Sequence, residues 1–89
     1  MLFDVAVEVR LRPGIADPQG ATIERALPAL GFEGVDGVSV GKSIRFHVEA
    51  SDEDAARARV EDMCERFLTN PVIEDSTVTI RQAATASAG

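Results

Sequence analysis

The sequence contains no tryptophan and no tyrosine, and its four aromatic residues are all phenylalanines. An RNA-binding sheet needs aromatic side chains on which bases stack, within a basic surround. This chain instead carries fifteen acidic residues against nine basic ones, for a net charge of -6. Proteins that bind a phosphate backbone or an anionic membrane present a basic surface. Both of these classes are therefore excluded.

Cysteine and long apolar runs are also scarce. Because Cys64 stands alone, the chain cannot form an internal disulfide, a cysteine zinc site or the CxxC pair of a metallochaperone. No stretch approaches the roughly 20 apolar residues of a membrane span. Residues 1–4 lack the basic region of a signal peptide. We therefore expect a cytoplasmic protein, and 89 residues leave room for one domain.

The residues that could carry chemistry are isolated from one another. His47 has Arg45 and Glu49 as its same-face neighbours, which indicates a solvated charged row without a nucleophile. Cys64 falls in an apolar helical stripe, which favours a buried, unreactive thiol. The segment 41–43, GKS, lacks the glycine that a phosphate loop has five residues earlier. The acidic residues show no convergent spacing for a metal. We predict no catalytic residue and no metal site.

Hydrophobic periodicity predicts six elements in the order β-α-β-β-α-β. Apolar residues alternate over 2–12, 35–40, 44–48 and 77–80, and each run predicts a strand. The two middle runs flank Gly41-Lys42, which predicts a hairpin.

Two helices are predicted between these strands. Asp17 and Pro18 suit the start of the first, Pro28 predicts a kink or a tightened last turn, and Gly31 suits the residue after it. Its apolar face comprises Ile23, Ala26, Leu27 and Leu30. The second helix begins around residues 51–54 and ends at Asn70-Pro71. Its predicted buried stripe comprises Ala56, Val60, Met63 and Phe67, widened by Cys64 and Leu68.

These elements predict an α+β fold, a two-layer sandwich in which a ferredoxin-like antiparallel sheet carries two helices on one face. We expect residues 1–81 to form the single domain. Residues 82–89, QAATASAG, are small and unpatterned, which predicts a flexible C-terminal tail.

Two segments are more specific than these general patterns. The first runs from Asp17-Pro18-Gln19-Gly20 through Ala26-Leu27 and Leu30-Gly31 to Gly41-Lys42, and the second is residues 64–74, CERFLTNPVIE. In content, order and spacing they resemble the PurS family of phosphoribosylformylglycinamidine synthase subunits, which has a DPQG turn, an ALxxLG helix end, a GK turn and a CExxLxNPVIE segment. The resemblance covers residues 2 to about 80.

The resemblance implies an indirect role in purine biosynthesis. The synthase amidates formylglycinamide ribonucleotide using ATP with magnesium and glutamine. A PurL subunit performs the amidation and a PurQ glutaminase releases ammonia. A PurS-like chain is expected to bridge PurL and PurQ as a homodimer or homotetramer, to support ammonia transfer and to bind no cofactor itself. Residues expected to contact partners are Gln19, Gly20, Gly41, Lys42, Asn70, Pro71, Ile73 and Glu74. A backbone role for the glycines and for Asn70-Pro71 is equally open.

Two alternatives share this element order. A regulatory domain of ACT-like type would bind a small ligand at a helix N-terminus or a dimer interface, and the DPQG turn could serve it. An enzyme of acylphosphatase topology would need an arginine-bearing phosphate loop after the first strand, which the sequence lacks.

Overall fold

The computed structural model describes residues 1–83, which form three strands and two helices. Strand β1 spans Leu2–Leu11, β2 spans Lys42–Glu49 and β3 spans Glu74–Gln82. Helix α1 spans Pro18–Ala26 and is followed by a 3-10 turn, Pro28–Leu30. Helix α2 spans Glu53–Met63 and continues into a π-helical turn, Cys64–Leu68. In residues 1–83, no helix is both long and apolar enough to cross a membrane.

The three strands form one antiparallel sheet with β1 in the centre, in the order β2-β1-β3. Val5 lies opposite Phe46 on one side and Ile80 on the other, and this register places apolar residues of all three strands on one face. The α+β class and the antiparallel sheet are confirmed.

The core lies between this face and α2. Side chains buried in it are Phe3, Val5, Val7, Val9, Val48 and Ile80 from the sheet and Ala56, Val60 and Cys64 from the helix segment. Burying one such valine or phenylalanine contributes about 1.5–3 kcal/mol. The period-two pattern of β1 and most of the predicted stripe of α2 are therefore confirmed.

The predicted strand over 35–40, and with it the hairpin, is wrong. Gly34 and Gly37 have φ angles of 80° and 69°, in the left-handed region that an extended strand does not use. The backbone N–H groups of Val38 and Val40 donate to the carboxylates of Glu24 and Asp17, and not to a neighbouring strand. The element order is therefore β-α-β-α-β.

The expectation that both helices cover one sheet face is also wrong. Helix α2 packs on the sheet, whereas α1 makes no substantial contact with any of the three strands. The end of α1 is as predicted, because Pro28 opens the 3-10 turn and Gly31 follows it with a φ of 93°. Of the predicted tail, Gln82 belongs to β3, Ala83 follows it, and residues 84–89 lie outside the described residues.

A further prediction that fails is the burial of Phe67. A π-helical turn has i→i+5 hydrogen bonds, here from the N–H of Thr69 to the carbonyl of Cys64, and so advances each residue by a smaller angle than the roughly 100° of an α-helix. Over the three residues from Cys64, this difference rotates Phe67 away from the core, and its exposed fraction is 87%. Leu68 takes the position facing the core and is half-buried.

Candidate partner-contact site

The two sequence segments that carry the family resemblance meet at one end of the sheet, where β1 ends and β2 and β3 begin. A surface depression with a volume of about 260 Å³ lies there. It is lined by Val9, Arg10 and Leu11 of β1, by Asp17, Pro18 and Gln19, by Val40, Gly41 and Lys42, and by Glu74. Four of the eight predicted contact residues therefore surround a single surface feature.

The DPQG turn is held in place by the carboxylate of Asp17. Its Oδ1 accepts a hydrogen bond from the N–H of Gly20 at 2.9 Å, and its Oδ2 accepts one from the N–H of Val40 at 2.9 Å. Both hydrogen bonds lower the pKa of Asp17 below its ordinary value of 3.8, and the bond from Gly20 has the larger effect. The carboxylate thus fixes the start of α1 against the segment that enters β2.

The glycines at this end have a steric role. A Cβ on Gly20 would lie 2.5 Å from the carbonyl oxygen of Val38, and one on Gly41 would lie 2.5 Å from that of Val9. Only glycine fits such close backbone approaches. The neighbouring side chains of Gln19 and Lys42 are exposed. At this end of the sheet, both side chains are accessible to a partner.

The NPVIE turn is fixed by hydrogen bonds of its own. Oε1 of Glu74 accepts from the N–H of Asn70 at 2.7 Å, and Oδ1 of Asn70 accepts from the N–H of Val72 at 3.1 Å. The N–H of Arg12 donates to the carbonyl of Ile73 at 2.8 Å, which joins the turn to the end of β1. Pro71 is exposed and Ile73 is half-buried. These hydrogen bonds therefore fix both the conformation of the turn and its position against the end of β1.

Two large apolar side chains project from this region. Phe67 is 87% exposed and Val72 is 80% exposed. Phe67 was not among the residues predicted to contact a partner, because the helical spacing placed it in the core. Its position inside the CERFLTNPVIE segment was the available signal. Exposed aromatic side chains are enriched among the residues that dominate protein interfaces.

The other groups considered for chemistry lie apart from this end or are buried. Cys64 is buried as predicted, and its burial raises the pKa of the thiol. His47 is on the sheet face that α2 does not cover, and its Nε2 lies 2.9 Å from Oδ1 of Asp4. The other carboxylate oxygen of Asp4, Oδ2, lies 3.8 Å from Nε of Arg81. Across residues 1–83, no three His, Cys, Asp or Glu residues cluster in a way that could hold a metal ion.

Comparison with known proteins identifies the family. The family model "PurS: Phosphoribosylformylglycinamidine (FGAM) synthase" matches residues 4–82. The synthase subunit PurS of Methanothermobacter thermautotrophicus is 44% identical over 82 residues, which is 92% of this chain and 96% of that protein. The PurS of Bacillus subtilis is 38% identical over 74 residues, 83% of this chain and 87% of that protein.

Solved structures agree with the relatives found by sequence. A chain of the PurLQS structure from Thermotoga maritima superposes with a TM-score of 0.84 at 38% identity, over 91% of this chain and 99% of that one. PurS from Methanocaldococcus jannaschii superposes with a TM-score of 0.82 at 34% identity, over 92% and 99%. On sequence and fold together, the chain belongs to the PurS family of phosphoribosylformylglycinamidine synthase subunits.

Proposed function

We propose that this chain is a non-catalytic assembly subunit of phosphoribosylformylglycinamidine synthase, which bridges a PurL-type synthetase and a PurQ-type glutaminase. The observation that carries the proposal is the match, over almost the whole of both chains, to a component of the PurLQS structure. The complex works in the cytoplasm and uses ATP with magnesium and glutamine, and this subunit binds none of these cofactors. Residues 1–81 act as its single domain.

The surface for these partners is the end of the sheet where the two segments meet. Backbone hydrogen bonds and close glycine contacts fix both turns, so that a partner meets a preformed surface. Gln19, Lys42, Asn70, Pro71 and Glu74 supply its polar and turn groups, and Phe67 and Val72 supply exposed apolar side chains. Gly20 is buried and Ile73 half-buried beneath this surface, and Gly41 lines its depression.

The subunit also associates with itself, as a homodimer or homotetramer. Its sheet has two edges, β2 and β3, whose outward backbone groups are open to pairing or need protection. A domain of this size also buries a smaller share of its surface than a larger domain does, so that association adds stability.

The ACT-like alternative is less well supported by the geometry. In that alternative a ligand would bind at the N-terminus of α1, where free N–H groups attract anions. The carboxylate of Asp17 already accepts from Gly20 there and from Val40 beside it. An incoming carboxylate or phosphate would have to displace it.

The experiment that tests the proposal separates ammonia delivery from amidation. PurL-type and PurQ-type subunits are mixed with and without this chain, and product formation is measured with glutamine or with ammonium chloride as the nitrogen source. We expect glutamine-dependent activity to need the chain and ammonium-dependent activity to need it far less. Equal glutamine-dependent activity in its absence would contradict the bridging role.

A further inference from the structure

The sheet has a second face, which α2 leaves uncovered and which we call the open face. Side chains alternate along a strand, so those between the buried residues of β1 point to this face, together with their register partners on β2 and β3. The open face therefore presents Asp4, Ala6, Glu8 and Arg10 of β1, Ser43, Arg45 and His47 of β2, and Thr77, Thr79 and Arg81 of β3. Each of them is half-buried or exposed, so no second layer covers this face within residues 1–83.

A hollow with a volume of about 520 Å³ lies in the middle of the open face. It forms because a small residue, Ala6, stands between the longer side chains of Arg45 and Thr79 in the sheet register. The row beside it adds His47, Asp4 and Arg81 to the lining. Four of these six residues are exposed, so the hollow is open, whereas a small-molecule site buries about 70–90% of its ligand. The hollow therefore suits a group that projects from a protein surface.

The hollow is positively charged on a chain whose net charge is -6. Two arginines, Arg45 and Arg81, line it against one carboxylate, that of Asp4, so its net charge is positive even with His47 neutral. The Asp4 carboxylate lies 2.9 Å from His47 and 3.8 Å from Arg81, whose side chain is 82% exposed. Arg45 takes part in none of the ion pairs within residues 1–83. At least one guanidinium group in the hollow is therefore available to an anionic group.

The open face is continuous with the end of the sheet where the two family segments meet. Arg10 belongs to both surfaces, because it lines the depression at that end and its Nη1 donates to Oγ1 of Thr77 on the open face at 2.9 Å. Arg10 and Ala6 are four positions apart on β1, which is about 13 Å along the strand. A protein interface of standard size buries about 800 Å² on each partner, which is wide enough to cover both places.

We propose that one of the two larger synthase subunits extends onto the open face and places a carboxylate in the hollow between Arg45 and Arg81. This inference rests on the proposed assembly role and adds a second surface to it. A subunit that joins two proteins has to offer each of them an area that the other leaves free, and the open face provides such an area. A carboxylate fits the hollow, because guanidinium groups donate charge-assisted and often bidentate hydrogen bonds to it. Because the chain as a whole is acidic, charge complementarity favours this position for an acidic partner surface.

Charge reversal at Arg45 tests the proposal. The variant Arg45→Glu breaks no ion pair within residues 1–83, and its matched control is Arg59→Glu, which changes an exposed arginine of α2 on the other side of the sheet. Binding of the chain to each larger subunit is measured by isothermal calorimetry. We expect Arg45→Glu to weaken binding to one subunit at least about 30-fold, the effect of disrupting a buried charge pair. We expect Arg59→Glu to change it less than about threefold, as for an exposed charge.

Urea unfolding accompanies these measurements, and both variants should unfold at the wild-type midpoint because both side chains are exposed. Unchanged binding of both subunits by Arg45→Glu would overturn the proposal. So would equal weakening of binding to both subunits, or equal effects of the two variants.

A cross-link identifies the group that lies against the hollow. The variant Arg45→Lys keeps the positive charge and introduces an amine, which a carbodiimide joins to a carboxylate in direct contact. We expect a link, absent with the wild-type chain, from position 45 to an aspartate or glutamate of one larger subunit, located by mass spectrometry. A link from position 45 to a second copy of this chain would overturn the proposal, as would the absence of any new link in the assembled complex.

Failure of this inference and failure of the assembly role give different results. Glutamine-dependent activity that does not need the wild-type chain would contradict the assembly role. Glutamine-dependent activity that needs the chain, with binding to both subunits unchanged by Arg45→Glu, would contradict only docking on the open face.

Discussion

At the residue scale, Asp17 is the side chain on which the geometry of the contact end depends most. We use this name for the end of the sheet where β1 ends, β2 and β3 begin and the two family segments meet. It is the N-cap of α1, and it also accepts from the N–H of Val40 across 23 residues of sequence. An N-cap satisfies one of the otherwise unpaired donors of a helix. Because the same carboxylate also holds the segment that enters β2, one residue sets the relative position of Gln19 and Lys42.

The variant Asp17→Asn tests this role through pH. The pKa of Asp17 in the folded protein lies below its ordinary value of 3.8. Its contribution to stability is therefore fully present above that pH and is lost as the pH falls through the lower, folded-state pKa. We expect the variant to unfold at lower urea concentration than wild type at pH 7, and the difference to narrow below about pH 4. A difference that does not change with pH would contradict the assignment of the two hydrogen bonds to an ionised carboxylate.

The variant Gly20→Ala tests the close approach of α1 to Val38. Its Cβ would lie 2.5 Å from the carbonyl oxygen of Val38, and relieving such an overlap costs about 1–3 kcal/mol. Urea unfolding should show a loss of this size. Gln19→Ala, one residue away and exposed, should stay within about 0.5 kcal/mol of wild type. Equal stability of the two variants would show that the contact can relax freely.

At the scale of elements, the helix after β2 changes character along its length. Val60 in α2 is fully buried, whereas Phe67 in the π-helical turn projects into solvent. Short π-helical turns occur often at functional sites, where they redirect a side chain. Here the change of period turns the last part of a core helix into part of the contact surface.

A pair of variants in this helix separates folding from docking. Val60→Ala should lower the free energy of unfolding by about 2 kcal/mol, since it removes a buried side chain. Phe67→Ser should leave it within about 0.5 kcal/mol and should weaken binding to the PurL-type and PurQ-type subunits at least tenfold. Isothermal calorimetry and urea unfolding measure the two effects. Strong destabilisation by Phe67→Ser would mean that this side chain is packed and would remove it from the contact surface.

The elements that sequence could predict are those whose residues act locally. The alternation over β1 and the i, i+4 spacing of Ala56, Val60 and Cys64 need only neighbouring residues, and both were predicted correctly. The segment 35–40 could not be predicted, because its N–H groups bond to carboxylates of Glu24 and Asp17, far away in sequence. The outward position of Phe67 depends on one extra residue in a helical turn, which leaves no trace in the apolar pattern.

The contact end could be predicted only as separate segments. The resemblance selected Gln19, Lys42 and the NPVIE turn, but the sequence gives no distance between them. The structure adds that Gln19, Lys42 and Glu74 line one depression. Their contact with partners remains a prediction.

At the scale of the whole molecule, the described residues form a thin slab, with extents of 51 × 32 × 16 Å. Such a shape buries little of its own surface, so that stability should depend on association. The temperature of unfolding should therefore rise by several degrees between about 1 and 100 µM protein. Differential scanning calorimetry measures this rise. A midpoint independent of concentration would contradict the proposed self-association.

The central claim is that this chain joins two larger subunits through a preformed surface. Its most direct test is the mass, measured by light scattering after size exclusion, of mixtures of the PurL-type and PurQ-type subunits with and without the chain. We expect one complex containing all three proteins when the chain is present and separate PurL-type and PurQ-type species when it is absent. Equal joining of the two larger subunits without the chain would contradict the account.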